Sequence, residues 1–155
     1  MRDTTLCYIR YEYEYLMLYR NKKENDLNEG KWIGIGGKLE PGETIDECAM
    51  REIFEETGIR IKEEQLENIG VVHFRSDKWD DEEMYLYTVK LYSKPELSDC
   101  DEGTLHWIHG DKLLALPTWE GDRVFLEAMF AGKKNIDITL RYESEKLVEV
   151  IDHAS

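Results

Sequence analysis

Apolar and polar positions near the start of the chain alternate from one residue to the next. TTLCYIR (4–10) predicts a strand, and YEYEYLMLYR (11–20) predicts a turn followed by a second strand rich in aromatics. NKKENDLNEG (21–30) is polar and charged, hence a loop, and KWIGIGGKLEPGE (31–43) holds too many glycines for a helix. It reads as a short strand running into a turn punctuated by Pro41-Gly42. The period then changes. Ile45, Cys48, Ala49 and Ile53 recur at helical spacing, Thr44 and Glu47 form a capping box before them, and Gly58 closes the segment. ENIGVVHFRS (67–76), EEMYLYTVKLYS (82–93) and GTLHWI (103–108) return to strand character, followed by a helical turn around GDKLLAL. EGDRVFLEAMFAG (120–132) carries Val124, Phe125, Ala128 and Met129 on one helical face, and NIDITLRYE with KLVEVID predicts a closing hairpin. Strands dominate, and the two principal helices do not alternate regularly with them. That pattern predicts an α+β sandwich with a mixed sheet in a single domain, 1–155, with no internal repeat and no long linker.

Composition narrows the classes. Hydrophobic content of 41% is ordinary for a globular chain, and no apolar run approaches the length of a bilayer span. The N-terminus MRDTTLCYIRYEYEY has no long apolar core or small-residue cleavage site, so no signal peptide is expected. Three cysteines, Cys7, Cys48 and Cys100, are few and far apart, which suits a reducing cytoplasm better than a disulfide framework or a thiolate zinc site. A net charge of −14 argues against a nucleic-acid duplex or an anionic membrane as partner. It leaves room for a small nucleotide that arrives as its magnesium complex.

Within the predicted first helix, Glu52, Glu55 and Glu56 lie within one turn of each other, where like charges repel. Glutamate-rich turns of this kind commonly form a solvated face. Alternatively a cation sits among them, and all-oxygen donors favour Mg2+ or Mn2+ over zinc or copper. The preceding loop bears on the choice. Gly36-Gly37 permits a tight turn that presents a carbonyl, Lys38 and loop N–H groups can approach phosphate oxygens, and Glu43 can bond backbone or join an outer metal shell. Arg51 can reach Glu47 or Glu55 along the helix, or orient Glu52 from the side. These groups together make a site for a metal-bound polyphosphate.

Gly37, then Glu43 after five residues, then REIFEETGI from Arg51 to Ile59 after seven more, resembles the Nudix hydrolase signature at every position. GKWIGIGGKLEPGE, CDEGTLHW and PTWEGD also resemble the MutT-type branch, which removes oxidised purine nucleoside triphosphates. The resemblance implies an α/β/α sandwich with a mixed sheet and Mg2+-dependent hydrolysis, Mn2+ substituting, in the service of nucleotide-pool sanitation. It implies Glu55, Glu56 and the Gly37 carbonyl as metal ligands, and Glu52, oriented by Arg51, as the base or water-positioning group that also borders the metal. Glu102 matches a downstream acid that adds a metal ligand or assists the base. Lys23 resembles a position that touches substrate phosphates.

Trp119 in PTWEGD can stack on a purine, with Asp122 or Glu120 bonding its edge, or it can pack a sheet edge while the acids cap the helix; the resemblance favours the pocket. Leu27, Ile33 and Trp32 are further candidate walls. Some relatives that recognise 8-oxoguanine carry asparagine where this chain has Ile33, which cannot hydrogen-bond a base, so discrimination is expected from Asp122, Glu120 or backbone. His73, His106, His109 and His153 show no metal-binding spacing. The expected activity is hydrolysis of an oxidised purine triphosphate such as 8-oxo-dGTP to monophosphate and pyrophosphate, by a monomer or homodimer. The alternatives are ADP-ribose, a nucleotide sugar or a dinucleoside polyphosphate as substrate, and a non-catalytic nucleotide-binding module.

Overall fold

The computed structural model describes residues 1–22 and 28–153. β1 (Arg2–Tyr11) and β2 (Glu14–Tyr19) form a hairpin whose turn places Glu12 at φ 52°. β3 (Trp32–Ile33) follows, then helix α1 (Ile45–Thr57), a 3₁₀ turn (Glu63–Gln65), β4 (Leu66–Ser76), β5 (Glu82–Leu91) and β6 (Thr104–His109). A short helix α2 (Gly110–Leu113), helix α3 (Glu120–Phe130) and the hairpin β7 (Ile136–Glu143) and β8 (Lys146–Asp152) complete the chain. Each predicted element is present, with boundaries shifted by a few residues.

The eight strands form one mixed sheet in the order β3-β2-β1-β5-β4-β7-β8, with β6 on β2. β1–β5 and β4–β7 are parallel, and the remaining pairs are antiparallel. β1, β2 and β5 are buried on both faces. Cys7, Ile9, Leu16, Leu18, Tyr87 and Val89 pack with Ala49 and Ile53 of α1. Tyr8, Met17 and Leu86 point the other way and pack with Phe125 and Leu126 of α3. Alternation along a strand therefore feeds two cores, one under each helix, and the sandwich follows from covering both faces. Among the described residues, no helix is long and apolar enough to cross a membrane.

α1 starts and stops as its sequence dictates. Thr44 Oγ1 accepts the Glu47 N–H at 3.1 Å, and Glu47 Oε1 accepts the Thr44 N–H at 2.9 Å. Gly58 at φ 80° closes the helix by donating its N–H to Phe54 O. β2 pairs with β1 only over residues 14–16, and the chain from Ile35 to Lys38 takes over the vacated edge of β1. That exchange carries the glycine turn alongside Thr4–Cys7 and opens a cleft between the turn and the end of α1.

Candidate active site

A cavity of about 410 Å3 occupies this cleft. Glu52 and Glu56 from α1, Glu102 from the loop before β6, the Gly36–Lys38 backbone and Arg20 line one part of it. Asn28, Ile33, Phe74, Trp119, Asp122 and Tyr142 line another.

Gly37 is required by the carboxylate beside it. A Cβ there would stand 2.4 Å from Glu52 Cδ, so only glycine lets the Glu52 carboxylate lie flat against the turn. The Gly37 carbonyl accepts the Thr5 N–H at 2.9 Å, which ties the turn to β1, with longer contacts from the Thr5 hydroxyl at 3.5 Å and the Cys48 thiol at 3.8 Å. Gly36 turns its N–H to Glu56 Oε2 at 3.3 Å.

Arg51 organises the acids. Its Nε and Nη2 grip the two Glu43 oxygens at 2.6 and 3.0 Å, its Nη1 donates to Glu52 Oε1 at 2.7 Å and Glu55 Oε2 at 3.2 Å, and its Nη2 also reaches the Lys38 carbonyl. Of the three alternatives expected for Arg51, Glu52 and Glu55 are bound and Glu47 is not, its carboxylate accepting the Thr44 N–H in the capping box. Glu43 binds Arg51 and the Glu40 N–H, so it braces the turn rather than facing the cavity.

Glu56 is the most enclosed acid of the group, 6% exposed. Burial, then the charges of Glu102 and Glu52, push its pKa up to about 9, against a small opposing effect of the Gly36 N–H. Burial also raises Glu52, with Arg51 opposing. Glu102 is held by Arg20 Nη1 at 2.8 Å. Glu52 and Glu56, both raised by burial, thus stand beside Glu102 in one cavity, a donor set suited to a hard divalent cation. Among the described residues no three acids, histidines or cysteines stand close enough to hold a metal ion as placed; Arg51 binds Glu52 and Glu55, and Glu55 lies outside the cavity lining.

At the other part, Trp119 is both packed and lining. Its ring meets Tyr142, Trp79 and Phe74 edge-on at 5.1, 5.3 and 6.2 Å, and Lys31 Nζ stands 4.6 Å over it. Its indole Nε1 donates to Asn28 Oδ1 at 2.7 Å. Burial pushes Asp122 up to about 7, while Thr118, Arg123 and Lys31 lower it. Thr118 Oγ1 lies 2.8 Å from Trp32 O and 3.0 Å from Asp122 Oδ2, with one proton for two contacts. Trp32 O can only accept. Both contacts are satisfied when Asp122 is protonated, Thr118 donating to Trp32 and Asp122 Oδ2 donating to Thr118. Asp122 Oδ1 is an acceptor in either state.

The structure brings Gly37, Lys38, Glu52, Glu56, Glu102, Ile33, Trp119 and Asp122 to one cavity. It does not bring Glu120 there: that carboxylate faces the closing hairpin and accepts the Leu147 N–H at 3.5 Å. Trp32 is likewise no wall of the cavity, packing against Tyr19 and His106 instead. Lys23 and Leu27 lie outside the described residues. His73 bridges Glu83 and Asp137 across three strands, away from the site. Sequence reasoning missed Arg20, Asn28 and Tyr142. Arg20 ends a strand, Asn28 lies in an aperiodic polar loop and Tyr142 is one apolar position of an alternating strand, so none carried a local signal.

Residues 2–129 match the NUDIX domain family. The chain belongs to the Nudix family. It is 27% identical over 150 residues to the uncharacterized Nudix hydrolase YvcI of Bacillus subtilis, covering 94% of this chain and 89% of that one. It is 29% identical over 113 residues to an oxidized purine nucleoside triphosphate hydrolase of Danio rerio, covering 72% and 70%. The MutT protein of Bacillus halodurans superposes with a TM-score of 0.85 at 24% identity, over 99% of this chain and 98% of that one, and so shares the Nudix fold. The β7–β8 hairpin lies beyond the matched domain, yet Tyr142 from it lines the cavity of this Nudix hydrolase.

Proposed function

We propose that this Nudix hydrolase is a Mg2+-dependent nucleoside triphosphate pyrophosphohydrolase that acts on oxidised purine nucleotides such as 8-oxo-dGTP, releasing the monophosphate and pyrophosphate. The observation that carries the reading is one continuous cavity with clustered carboxylates in one part and Trp119 beside a buried acid in the other. The first suits a metal-bound polyphosphate and the second a flat, polar-edged base. The resemblance to oxidized purine nucleoside triphosphate hydrolases supports the same substrate class.

Glu52, Glu56, Glu102 and the Gly37 carbonyl would hold Mg2+ or Mn2+, joined by Glu55 when it leaves Arg51. Bound there, the cation supplies neutralisation of phosphate charge and acidification of a coordinated water. Arg51 fixes Glu52 through Oε1, so Oε2 is the atom left to take the proton of the attacking water. Lys38 faces the phosphates from the turn, and Lys23 is the further candidate for that role. Cleavage of the α–β phosphoanhydride by in-line water then releases the monophosphate and pyrophosphate.

Glu52→Gln removes that proton acceptor and keeps the shape. It is expected to lower kcat by roughly 10²–10⁴-fold with an unchanged circular dichroism spectrum. The test is product analysis with Mg2+ across 8-oxo-dGTP, the ordinary nucleoside triphosphates and ADP-ribose. Turnover of ADP-ribose alone, or near-normal turnover by the variant, would sink the reading.

A further inference from the structure

The part of the cavity around Trp119 has few groups able to read a base edge. Ile33 offers none, and Phe74 and Leu140 are apolar. Asn28 is polar, and its orientation is determined by chemistry. Trp119 Nε1–H can only donate, so the Asn28 atom 2.7 Å away is the amide oxygen, and the amide nitrogen is the other terminus. Among the described residues no group takes the two Nδ2 protons. A primary amide is thus pinned at its oxygen by an indole and left with its donors unused, beside a cavity it helps to line.

Asp122 flanks Trp119 from the other side, its N–H donating to Trp119 O at 3.0 Å within the first turn of α3. Its Oδ1 accepts whether or not the acid is ionised. Beside Trp119 the cavity therefore offers a donor from Asn28 and an acceptor from Asp122, in addition to the paired Arg2 and Glu82 and the Tyr142 hydroxyl that also line it. The matching ligand edge is a carbonyl next to an N–H, the lactam of an oxopurine. Guanine and hypoxanthine carry that edge at positions 6 and 1, and 8-oxopurines at positions 8 and 7. Adenine, with an amino group beside a bare ring nitrogen, presents the inverse.

We propose that Asn28 is the residue that selects oxopurines, its Nδ2 donating to the lactam carbonyl while Asp122 Oδ1 accepts the adjacent N–H. This rests on the proposed nucleotide hydrolysis and deepens it: it assigns the base-edge donor that Ile33 cannot supply to a residue in a loop before β3. Because Trp119 and Asn28 share a hydrogen bond, the stacking surface and the edge reader are held in one unit.

The discriminating variant is Asn28→Asp. A carboxylate oxygen still accepts from Trp119 Nε1, so the ring stays in place, but the second terminus changes from donor to acceptor. Inosine and adenosine triphosphates differ only at the edge in question, so the ratio of their kcat/KM values cancels any general effect of the added charge. The wild type is expected to favour inosine triphosphate. Asn28→Asp should lower the inosine-to-adenosine ratio by roughly 10–100-fold. Asn28→Ala should also lower the ratio, by less, because it removes the donor without adding a repelling acceptor. A residue that merely held Trp119 would leave the ratio of the Asp variant at the wild-type value, and that outcome overturns the assignment while leaving the hydrolase reading intact. If the wild type turns over 8-oxo-dGTP but does not prefer inosine to adenosine triphosphate, the assignment falls and the hydrolase reading stands; if it turns over none of the three, both fall.

Discussion

Two buried acids in the cavity have pKa values raised first by burial, and their charged neighbours then act in opposite directions. Glu56 is pushed to about 9 by burial and then by two neighbouring carboxylates, so a cation would relieve it. Asp122 is pushed to about 7 by burial, and its charged neighbours lower it. The sign of its linkage follows. Between an unfolded value near 3.8 and a folded value near 7, the native state keeps a proton that the unfolded chain has lost. Its contribution is therefore fully present below pH 4, declines as pH rises and is gone above about pH 7. Asp122→Asn keeps the contact with Thr118 and cannot ionise. Thermal melts in chelator at pH 5 and pH 8 should show the wild type losing more stability than the variant over this interval, by on the order of 2–4 kcal/mol. Equal slopes would show that Asp122 does not hold its proton in the fold. At this scale the sequence showed which residue types could react. It could not show that Asp122 is buried while Glu120, two residues away, faces a different strand.

The relevant element is the turn-and-helix unit from Gly36 to Gly58. Its helix was readable because every signal in it is local: an N-cap, a glutamate three residues on, an apolar stripe and a terminal glycine. The clamp between helix and turn was only partly readable. Arg51 could be placed near its helical neighbours by spacing, but its bidentate contact is with Glu43, eight residues earlier and outside the helix. That fork is planar and bidentate, which a lysine cannot reproduce. Arg51→Lys should loosen the turn against α1 and release Glu52. We expect kcat to fall roughly 10–100-fold and the melting temperature to drop by several degrees, read by steady-state kinetics and circular dichroism. A lysine variant with unchanged kcat would mean that Glu52 needs no guanidinium to stand in place.

At the scale of the whole molecule, a chain of net charge −14 concentrates part of its repulsion in one cavity. A divalent cation binding there favours the folded state by mass action, about 2.7 kcal/mol when its concentration is about 100 times Kd. For a domain of this size that corresponds to a rise of roughly 5–10 °C in the melting temperature on adding Mg2+ or Mn2+. Glu56→Gln should lose most of that rise, and a variant that kept it would move the cation elsewhere.

The sequence by itself determined the elements, the Nudix motif and the clustering of carboxylates on one helix. Each is written in short-range spacing: a period of two or 3.6, a cap, or carboxylates one helical turn apart. Only the tertiary structure decided which of those carboxylates share a cavity, where Trp119 points, and that Asn28, Tyr142 and Arg20 belong to the same space. Asn28 and Trp119 are 91 positions apart and meet because β3, α3 and the closing hairpin converge at one side of a mixed sheet. Side-chain burial and pairing at such distances depend on how the strands are ordered. No local pattern of residues encodes that order.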